Sequence, residues 1–261
     1  MPLNPIDTSR PHPARMYDYY LGGKDSYPVD EEAAKKVISF LPAIQTAARA
    51  NRAFMRRAAR FLADRGVRQF LDIGTGIPTE PNLHQVVQAV HPQSRIVYVD
   101  NDPVVLRHAE ALLRSTPQGA TKYIEADVRE PGKILDETKE ILDFEKPVAL
   151  SLVALLHFVS DEYKPYDLVH ELLTALPSGS FLTLSHVTGD FDAAAWDRAV
   201  QIYRASGVPA QVRSQAEFAR FFTGLDLIDP GVQVVTDWLP EPDQVLTGDQ
   251  VPLYVGVARK P

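Results

Sequence analysis

From residue 67 onward, short apolar stretches alternate with segments whose apolar residues recur at helical spacing. The stretches predicted to be strands are 68–73, 95–100, 121–126, 147–156 and 180–186. Strands that alternate with helices in this way form a parallel sheet with right-handed crossovers. Two further predicted strands, 231–235 and 252–258, have no helix between them, which favours an antiparallel end to the sheet. The chain is therefore predicted to have an α/β fold.

The first predicted strand runs into a turn that contains Gly74 and Gly76 and has Asp72 just before it. Such a turn between strand and helix binds ligands in open parallel sheets, and glycine lets the backbone approach a ligand closely. A dinucleotide-binding turn would have a third glycine at position 79, but Thr79 stands there after Pro78. An acid at this place repels phosphate and attracts an ammonium or sulfonium, by roughly 4 kcal/mol for unit charges about 4 Å apart near a surface. S-adenosylmethionine carries both cations and no phosphate. The alternative is that Gly74 and Gly76 form an ordinary tight turn that binds no ligand.

Two more acidic residues stand at the ends of the next two predicted strands. Asp100 ends the second strand, where a carboxylate can accept hydrogen bonds from both hydroxyls of a ribose. Asp127 follows the third strand, where it can accept from the amino group of adenine. Each acid alone also fits a helix cap or a solvated position. Together with Asp72 they predict a pocket for an adenosine with a cationic tail.

The first 66 residues are predicted to form a helical, tyrosine-rich extension to a domain that spans residues 67–261. One helix is expected to stop at Gly22-Gly23, since glycine readily adopts the left-handed conformation. The tyrosines near this pair are Tyr17, Tyr19, Tyr20 and Tyr27. They would form a lid that excludes water and presents ring faces to a sulfonium, or they would simply dock the helix onto the domain.

A row of arginines follows Pro42 at helical spacing. Its members are Arg49, Arg52, Arg56 and Arg60. Such a row can hold an anionic substrate, but a solvated helix face is the more common meaning of this pattern, and we favour it.

Composition excludes several classes of protein. The chain has 261 residues and 45% hydrophobic residues, enough for the core of one large domain. It has no cysteine, which excludes disulfides, thiolate metal sites and cysteine nucleophiles, and no Asp/Glu/His cluster has metal-ligand spacing. A net charge of −7 argues against a nucleic-acid partner. The N-terminus lacks the pattern of a signal peptide and no stretch is long enough for a membrane span, so we expect a cytoplasmic protein.

The motifs resemble those of class I S-adenosylmethionine-dependent methyltransferases. The segments that carry this resemblance are Leu71-Asp72-Ile73-Gly74-Thr75-Gly76, Val99-Asp100 and Ala126-Asp127-Val128. Residues 15–25, with Asn51-Arg52-Ala53-Phe54 and residues 99–103, further resemble a bacterial methyltransferase family long carried as a domain of unknown function. The resemblance implies a Rossmann-like, mostly parallel sheet of seven strands with an antiparallel last strand, helices on both faces, and S-adenosylmethionine as cofactor. Pro78 departs from the family pattern, because many members have the third glycine of the turn there.

The motifs and the resemblance together give one set of expected cofactor-binding residues. These are Asp72, Gly74, Thr75, Gly76, Asp100, Asn101, Asp127, Val128, Tyr20, Gly22, Gly23 and Ser151. The resemblance implies that the methionine end lies near Gly74, the ribose at Asp100 and adenine near Asp127.

No obligatory catalytic residue follows from these motifs, because positioning an acceptor against a reactive sulfonium can supply most of the acceleration. If a base is needed, the candidates are His157 and His186, near the ends of the fourth and fifth predicted strands, with Asp190 third. A histidine in an apolar strand is also commonly structural.

Methyl transfer from S-adenosylmethionine to a small molecule is the favoured function, and the acceptor and oligomeric state stay open. One alternative is a non-catalytic protein that binds S-adenosylmethionine, because no compelling base is evident. The other is an NAD(P)-dependent oxidoreductase that uses Asp100 for the ribose, although it would leave Asp72 and Asp127 without a role.

Overall fold

The computed structural model of the protein describes residues 7–112, 114–240 and 251–261. Within these residues one sheet has eight strands. The strands are β1 (Gln69–Ile73), β2 (Arg95–Asp100), β3 (Ala120–Glu125), β4 (Ala149–Val153), β5 (Phe181–Val187), β6 (Asp226–Leu227), β7 (Gln233–Val234) and β8 (Leu253–Arg259). The α-helices are α1 (Pro13–Leu21), α2 (Pro28–Phe40), α3 (Ala43–Asp64), α4 (Leu83–Gln88), α5 (Pro103–Leu112), α6 (Pro131–Thr138), α7 (Pro165–Thr174), α8 (Ala193–Ala205) and α9 (Gln215–Ala219).

The strands lie in the order β3-β2-β1-β4-β5-β8-β6, and β7 also pairs with β8. Strands β1 to β5 are parallel, whereas β8 is antiparallel to β5. The predicted mostly parallel sheet with an antiparallel C-terminal strand is confirmed. Chain order reverses at β1, which has β2 on one side and β4 on the other. Such a switch point opens a crevice at the carboxyl ends of the strands, where α/β proteins bind ligands.

The prediction of seven strands missed one short strand. Residues Asp226–Leu227 pair with Arg259 and Ala258, whereas Gln233–Val234 pair with Val255 and Tyr254. Both short strands therefore lie along β8, where they divide one edge of the sheet. Leu227 is exposed and its strand has only two residues, so no alternation of apolar and polar residues could reveal it.

Helices cover both faces of the sheet. Alternate residues of a strand point to opposite faces, so each strand contributes to two cores. In β1, Phe70 packs into one core with α1, α3 and α8, whereas Leu71 and Ile73 pack into a second core with α6, α7 and α9. Burial on both faces explains why these strands read as continuous apolar runs.

The N-terminal helices belong to the first of these cores. Met16 and Tyr20 of α1 are buried with residues of the sheet. Helix α1 ends at Gly22, which has φ +85°, as the glycine pair predicted. The buried Arg15 lies 3.5 Å from carboxylate oxygens of both Asp30 and Asp102, which ties α1 to α2 and to the segment after β2. In the described ranges, no helix is both long and apolar enough to cross a bilayer.

Candidate active site

A cavity of about 280 Å³ opens at the carboxyl ends of β1 to β4, and we call it the strand-end cavity. Its strand-side lining comes from the turn after β1 and the ends of β2 to β4, and its other side from α1, α3 and the segment after α8. The expected cofactor residues that line it are Asp72, Gly74, Thr75, Gly76, Asp100, Asn101, Asp127 and Val128. The topology therefore brings three separate sequence motifs to one place.

The turn after β1 requires glycine for two different reasons. Gly74 has φ +74° and Gly76 has φ +68°, which are conformations that side chains disfavour. A Cβ on Gly74 would also lie 2.7 Å from the Leu155 side chain, whereas a Cβ on Gly76 would meet no atom within 4 Å. Thr75 donates its hydroxyl to the backbone oxygen of Asp72 at 3.0 Å and so closes the turn.

Asp72 is buried at the floor of the strand-end cavity. Ser151, its neighbour across the β1–β4 pair, hydrogen-bonds its side chain. Burial raises the pKa of the Asp72 carboxyl to about 6, although the positive charge of Arg52 and the hydrogen bonds from Ser151 and Thr75 act to lower it. A carboxylate that lacks water in this way gains strongly from a bound cation.

Asp100 stands at the end of β2, and backbone groups hold its carboxylate. Oδ2 accepts from Gly76 N–H at 2.8 Å and Oδ1 accepts from Asp102 N–H at 3.0 Å. Burial raises the pKa of Asp100 above its ordinary value despite these bonds. Each oxygen keeps a lone pair, which leaves the carboxylate able to accept from two hydroxyls.

Asp127 is the most heavily bonded of the three acids. It accepts from the backbone N–H and the guanidinium of Arg129, and from the side-chain amide of Asn101, at 2.7–2.9 Å. Burial raises the pKa of Asp127, but these bonds outweigh it and hold the pKa below its ordinary value. A carboxylate has about four lone-pair positions, and all four are used. The Arg129 guanidinium also lies 5.0 Å from the centre of the Tyr163 ring.

Sequence reasoning missed Arg52 as a site residue. Of the four arginines in the predicted row, only Arg52 lines the strand-end cavity, whereas Arg49 is exposed and Arg60 pairs with Asp64. Arg52 donates to the backbone oxygen of Thr79, and its Nε is buried without a partner among the described residues. The helical spacing of the row was the available signal, but it could not tell which arginine faces the cavity.

A smaller cavity of about 50 Å³ adjoins the first, and we call it the aromatic chamber. Its aromatic lining residues are Tyr17, Tyr20, His157, Phe158, Trp196 and Tyr203. The two cavities share Pro13, Tyr17, Asn51, Ala154 and Phe158, so they meet at α1, α3 and the end of β4. The Tyr20 and Tyr203 hydroxyls lie 3.1 Å apart and join α1 to α8 across the chamber.

The two candidate histidines have different surroundings. His157 lines the aromatic chamber, and its buried Nδ1 has no partner in the described part of the chain. Burial and the nearby His186 and Arg213 hold its pKa well below the ordinary value, so the ring is neutral at physiological pH. His186 lines neither cavity: its Nε2 lies 2.8 Å from Arg213 Nη1 and its Nδ1 lies 2.6 Å from the oxygen of Val187. Both nitrogens of His186 are therefore occupied.

The remaining expected site residues lie outside the strand-end cavity. Tyr20 lines the aromatic chamber, and Ser151 acts behind Asp72. Gly22 ends α1, while Gly23 packs so closely on Asp18 that a Cβ would lie 2.0 Å from its carboxylate. Asp190 is exposed and accepts hydrogen bonds from Gln215 and Tyr254. Over the described ranges, no group of three His, Asp or Glu residues forms a metal site.

Comparison with known proteins identifies the family. The sequence model of a family described as S-adenosyl methyltransferase matches residues 2–261. The curated proteins include no significant match. A solved DUF574 family protein from Streptomyces avermitilis is 47% identical, with a TM-score of 0.95 over 98% of this chain and 100% of its own. A solved protein from Thermobifida fusca, to which methyltransferase activity has been assigned, is 36% identical to this chain. The TM-score is 0.88 over 97% of this chain and 96% of the other.

More distant solved structures share the fold alone. A plantazolicin methyltransferase, crystallised with a triazolic desmethylPZN analogue and S-adenosylhomocysteine, is 11% identical, with a TM-score of 0.56 over 95% of each chain. The family match covers nearly the whole sequence, and the two similar structures share the fold over almost the whole chain. The protein belongs to the S-adenosyl methyltransferase family and is an S-adenosylmethionine-dependent methyltransferase with a class I fold.

Proposed function

We propose that the strand-end cavity holds S-adenosylmethionine and that the methyl group goes to a small molecule on the side of the aromatic chamber. The observation that carries this proposal is the meeting of Asp72, Asp100 and Asp127 with the glycine turn at one cavity. When bound, S-adenosylmethionine supplies a methyl group on a positively charged sulfur. The protein's own task is to hold donor and acceptor in line and to exclude water.

The methionine end would lie over the turn after β1. Asp72 would pair with its ammonium, because the buried carboxylate lacks a full counter-charge. Arg52 would bind its carboxylate, because Arg52 lines the cavity and its Nε is buried without a partner in the described structure. Gly74 and Gly76 would let the backbone pass close beneath the ligand.

The adenosine would extend along the ends of β2 and β3. Asp100 would accept from the ribose hydroxyls, and adenine would lie against Ala126 and Val128. Because Asp127 has no free lone pair, the amino group of adenine would replace one of its present donors. Arg129 is the donor best placed to leave, since its side chain is 42% exposed.

Helix α1 is proposed as the lid of this site. His12, Pro13, Ala14 and Tyr17 line the strand-end cavity, while Arg15 holds the helix through buried charges. If α1 opens to admit the cofactor, amide hydrogen exchange in residues 13–21 should slow severalfold when S-adenosylhomocysteine binds. Unchanged exchange there would show that α1 is a fixed wall.

On the acceptor side, His157 is the candidate that could receive a proton. It lines the aromatic chamber, and its Nδ1 has no partner among the described residues, whereas both nitrogens of His186 are occupied. Its neutral ring can accept a proton but is weakly basic, so positioning would contribute more to the rate than proton removal.

The net charge of −7 supports a small molecule as substrate and counts against a nucleic acid. The absence of cysteine is compatible with the cytoplasm as the place of action.

Calorimetry with S-adenosylmethionine, S-adenosylhomocysteine and NAD tests the proposal. The first two should bind and NAD should not, and Asp72→Asn should weaken binding while the exposed control Asp136→Asn should not. Binding of NAD alone would overturn the assignment in favour of an oxidoreductase. Incubation with methyl-labelled cofactor and a pool of cell metabolites separates an enzyme from a purely binding protein, because only the enzyme transfers label.

A further inference from the structure

Among the described residues, the aromatic chamber has no charged side chain in its lining. Aromatic rings and small apolar residues form most of its wall, and the polar groups among them are the neutral side chains of Tyr17, Tyr20, Asn51, His157 and Gln211, with those of Trp196 and Tyr203. The strand-end cavity beside it is lined by Asp72, Asp100, Asp127 and Arg52. A charged group placed in the chamber would lose its hydration without gaining a counter-charge, which is strongly unfavourable.

Hydrogen bonds at the junction of the two cavities determine how the Asn51 amide is oriented. The Tyr17 hydroxyl lies 3.0 Å from the backbone oxygen of Ala48, which can only accept, so Tyr17 must donate there. The Tyr17 oxygen then accepts from Asn51 Nδ2 at 2.9 Å. This leaves Asn51 Oδ1 on the other side of the amide. That oxygen is buried, and the described residues offer it no donor.

An unpartnered acceptor at this place requires an explanation. Asn51 is 2% exposed and lines both cavities, so its oxygen is shielded from bulk water and has no partner among the described residues. Buried polar groups in folded proteins are almost always hydrogen-bonded. A ligand that supplies an O–H or N–H at the junction would satisfy it, and the junction is where an acceptor atom must lie to face a methyl group held in the strand-end cavity.

The size of the chamber limits what enters it. Its volume is about 50 Å³, whereas a benzene-binding cavity engineered in another protein measures roughly 150 Å³. The chamber therefore takes one edge of a ring or a short apolar substituent, and the rest of the acceptor must lie across the junction.

We infer that the methyl acceptor is an uncharged, largely apolar molecule of phenol type, whose hydroxyl or N–H donates to Asn51 Oδ1 while its apolar edge enters the aromatic chamber. Its oxygen or nitrogen would form the new bond to the methyl carbon as the carbon–sulfur bond breaks, and its proton would pass to the neutral ring of His157, which lines the chamber, and then to solvent. This inference rests on the proposed function, because it takes the strand-end cavity as the cofactor site. It makes Asn51 a specificity-determining residue for the acceptor. It also makes the ring-lined wall the surface that rejects charged compounds.

Calorimetry on the protein saturated with S-adenosylhomocysteine tests this inference with phenol, anisole and benzoate. Phenol is uncharged and has a donor, anisole lacks the donor, and benzoate is charged. We expect phenol to bind at least about 10-fold more tightly than anisole, because anisole leaves Asn51 Oδ1 unpaired. We expect benzoate to show no binding. Equal binding of phenol and anisole, or preferential binding of benzoate, would overturn the inference.

Variants locate the binding and separate the inference from the proposed function. Asn51→Leu should reduce the affinity for phenol at least about 10-fold and change that for S-adenosylhomocysteine less than about 2-fold. If the affinity for S-adenosylhomocysteine falls with it, Asn51 serves the cofactor and the inference is wrong. A wild-type protein that binds no S-adenosylhomocysteine would instead disprove the proposed function and, with it, this inference.

Filling the chamber gives an independent test on α8. Ala199 is 1% exposed and lines the chamber, so Ala199→Leu should abolish phenol binding and Ala199→Val should weaken it. The exposed Ala194 on the same helix supplies the matched control, Ala194→Leu. Melting curves show which variants are folded, and the milder valine variant keeps the test valid if the leucine variant unfolds. Phenol binding that is unchanged in a folded Ala199 variant contradicts the inference.

Discussion

The strand-end cavity and the aromatic chamber meet at Asn51, yet they are built by opposite means. The strand-end cavity is about 280 Å³, and backbone amides and carboxylates at consecutive strand ends define it. The aromatic chamber is about 50 Å³, and side chains from α1, α3, α8 and the end of β4 define it. A charged ligand is recognised by the backbone geometry of its site and by side chains of opposite charge. An uncharged ligand is recognised by shape and by a few neutral hydrogen-bond donors and acceptors.

The same contrast appears in how the two regions treat charge. Burial raises the pKa of the Asp72 carboxyl to about 6. His157 carries a pKa well below its ordinary value because burial and Arg213 oppose its protonation. The strand-end cavity is lined by several ionisable side chains, whereas the described lining of the aromatic chamber is neutral. Changes that alter one region and spare the other therefore test the division.

The largest effect is expected from Asp72→Asn, which removes the charge at the floor of the strand-end cavity. Affinity for S-adenosylmethionine should fall about 100-fold, because the ammonium loses a buried ionic partner. Stability should rise at the same time. A pKa unit is worth about 1.4 kcal/mol, so ionising Asp72 at neutral pH costs the free protein up to about 3 kcal/mol, which asparagine avoids. Titration calorimetry and urea unfolding at pH 7.5 measure the two quantities. A variant that binds normally would remove Asp72 from the site.

Arg52→Gln should have the second largest effect. Loss of the guanidinium should weaken S-adenosylhomocysteine binding by about 30-fold, since the proposed charge-assisted hydrogen bond to the methionine carboxylate would be lost. Arg49→Gln is the matched control, because Arg49 lies on the same helix and is exposed. If both variants bind S-adenosylhomocysteine equally well, Arg52 does not contact the cofactor and belongs to the solvated helix face that the sequence favours.

The pH dependence of binding should be smaller but specific. In the free protein, Asp72 becomes protonated as the pH falls through about 6, so affinity for S-adenosylhomocysteine should fall about 10-fold between pH 7.5 and pH 5. The free energy of unfolding changes with pH in the opposite direction. Because the pKa of Asp72 is higher in the folded protein than in the unfolded chain, its stabilising contribution is fully present below pH 3.8 and is lost as the pH rises through about 6. Calorimetry across this range should show the fall in affinity in the wild type and its absence in Asp72→Asn. A slope shared by both proteins would point to another group.

The smallest effect is expected from Tyr203→Phe in the aromatic chamber. It removes the hydrogen bond between Tyr20 and Tyr203 but no charge, so the free energy of unfolding should fall by only about 1 kcal/mol. Affinity for S-adenosylhomocysteine should stay within about 2-fold. A large loss of cofactor affinity in this variant would show that the two regions are coupled rather than independent.

The sequence was sufficient to predict which acidic residues the sheet brings to one edge. Asp72, Asp100 and Asp127 each follow an apolar run, and parallel strands bring their carboxyl ends to one edge whatever the details of packing. It failed where a side chain's direction decides. Arg52 differs from Arg49 only in which way it faces around α3, and Tyr20 lies in the aromatic chamber because α1 packs against α8.

The sequence also could not predict which hydrogen-bond partners the acids at the strand ends have in the folded protein. Asp127 was expected to be open to adenine, but Arg129 and Asn101 use its lone pairs, and that depends on rotamers. The two histidines show the same limit. Arg213, which is distant in sequence, contacts His186 Nε2, whereas Nδ1 of His157 has no partner among the described residues.

The sequence alone determined the fold class, the methyl donor and the edge of the sheet at which it is expected, because hydrophobic periodicity and strand-end acids are local features. Only the tertiary structure shows the aromatic chamber, on which the proposed acceptor side depends. Its walls come from α1, α3, α8 and the end of β4, which are distant in sequence. Among the described residues, Asn51 Oδ1 has no donor, because the amide group of Asn51 turns its Nδ2 toward the Tyr17 oxygen. Such a surface is a sum of side-chain directions fixed by packing, and no local pattern encodes it.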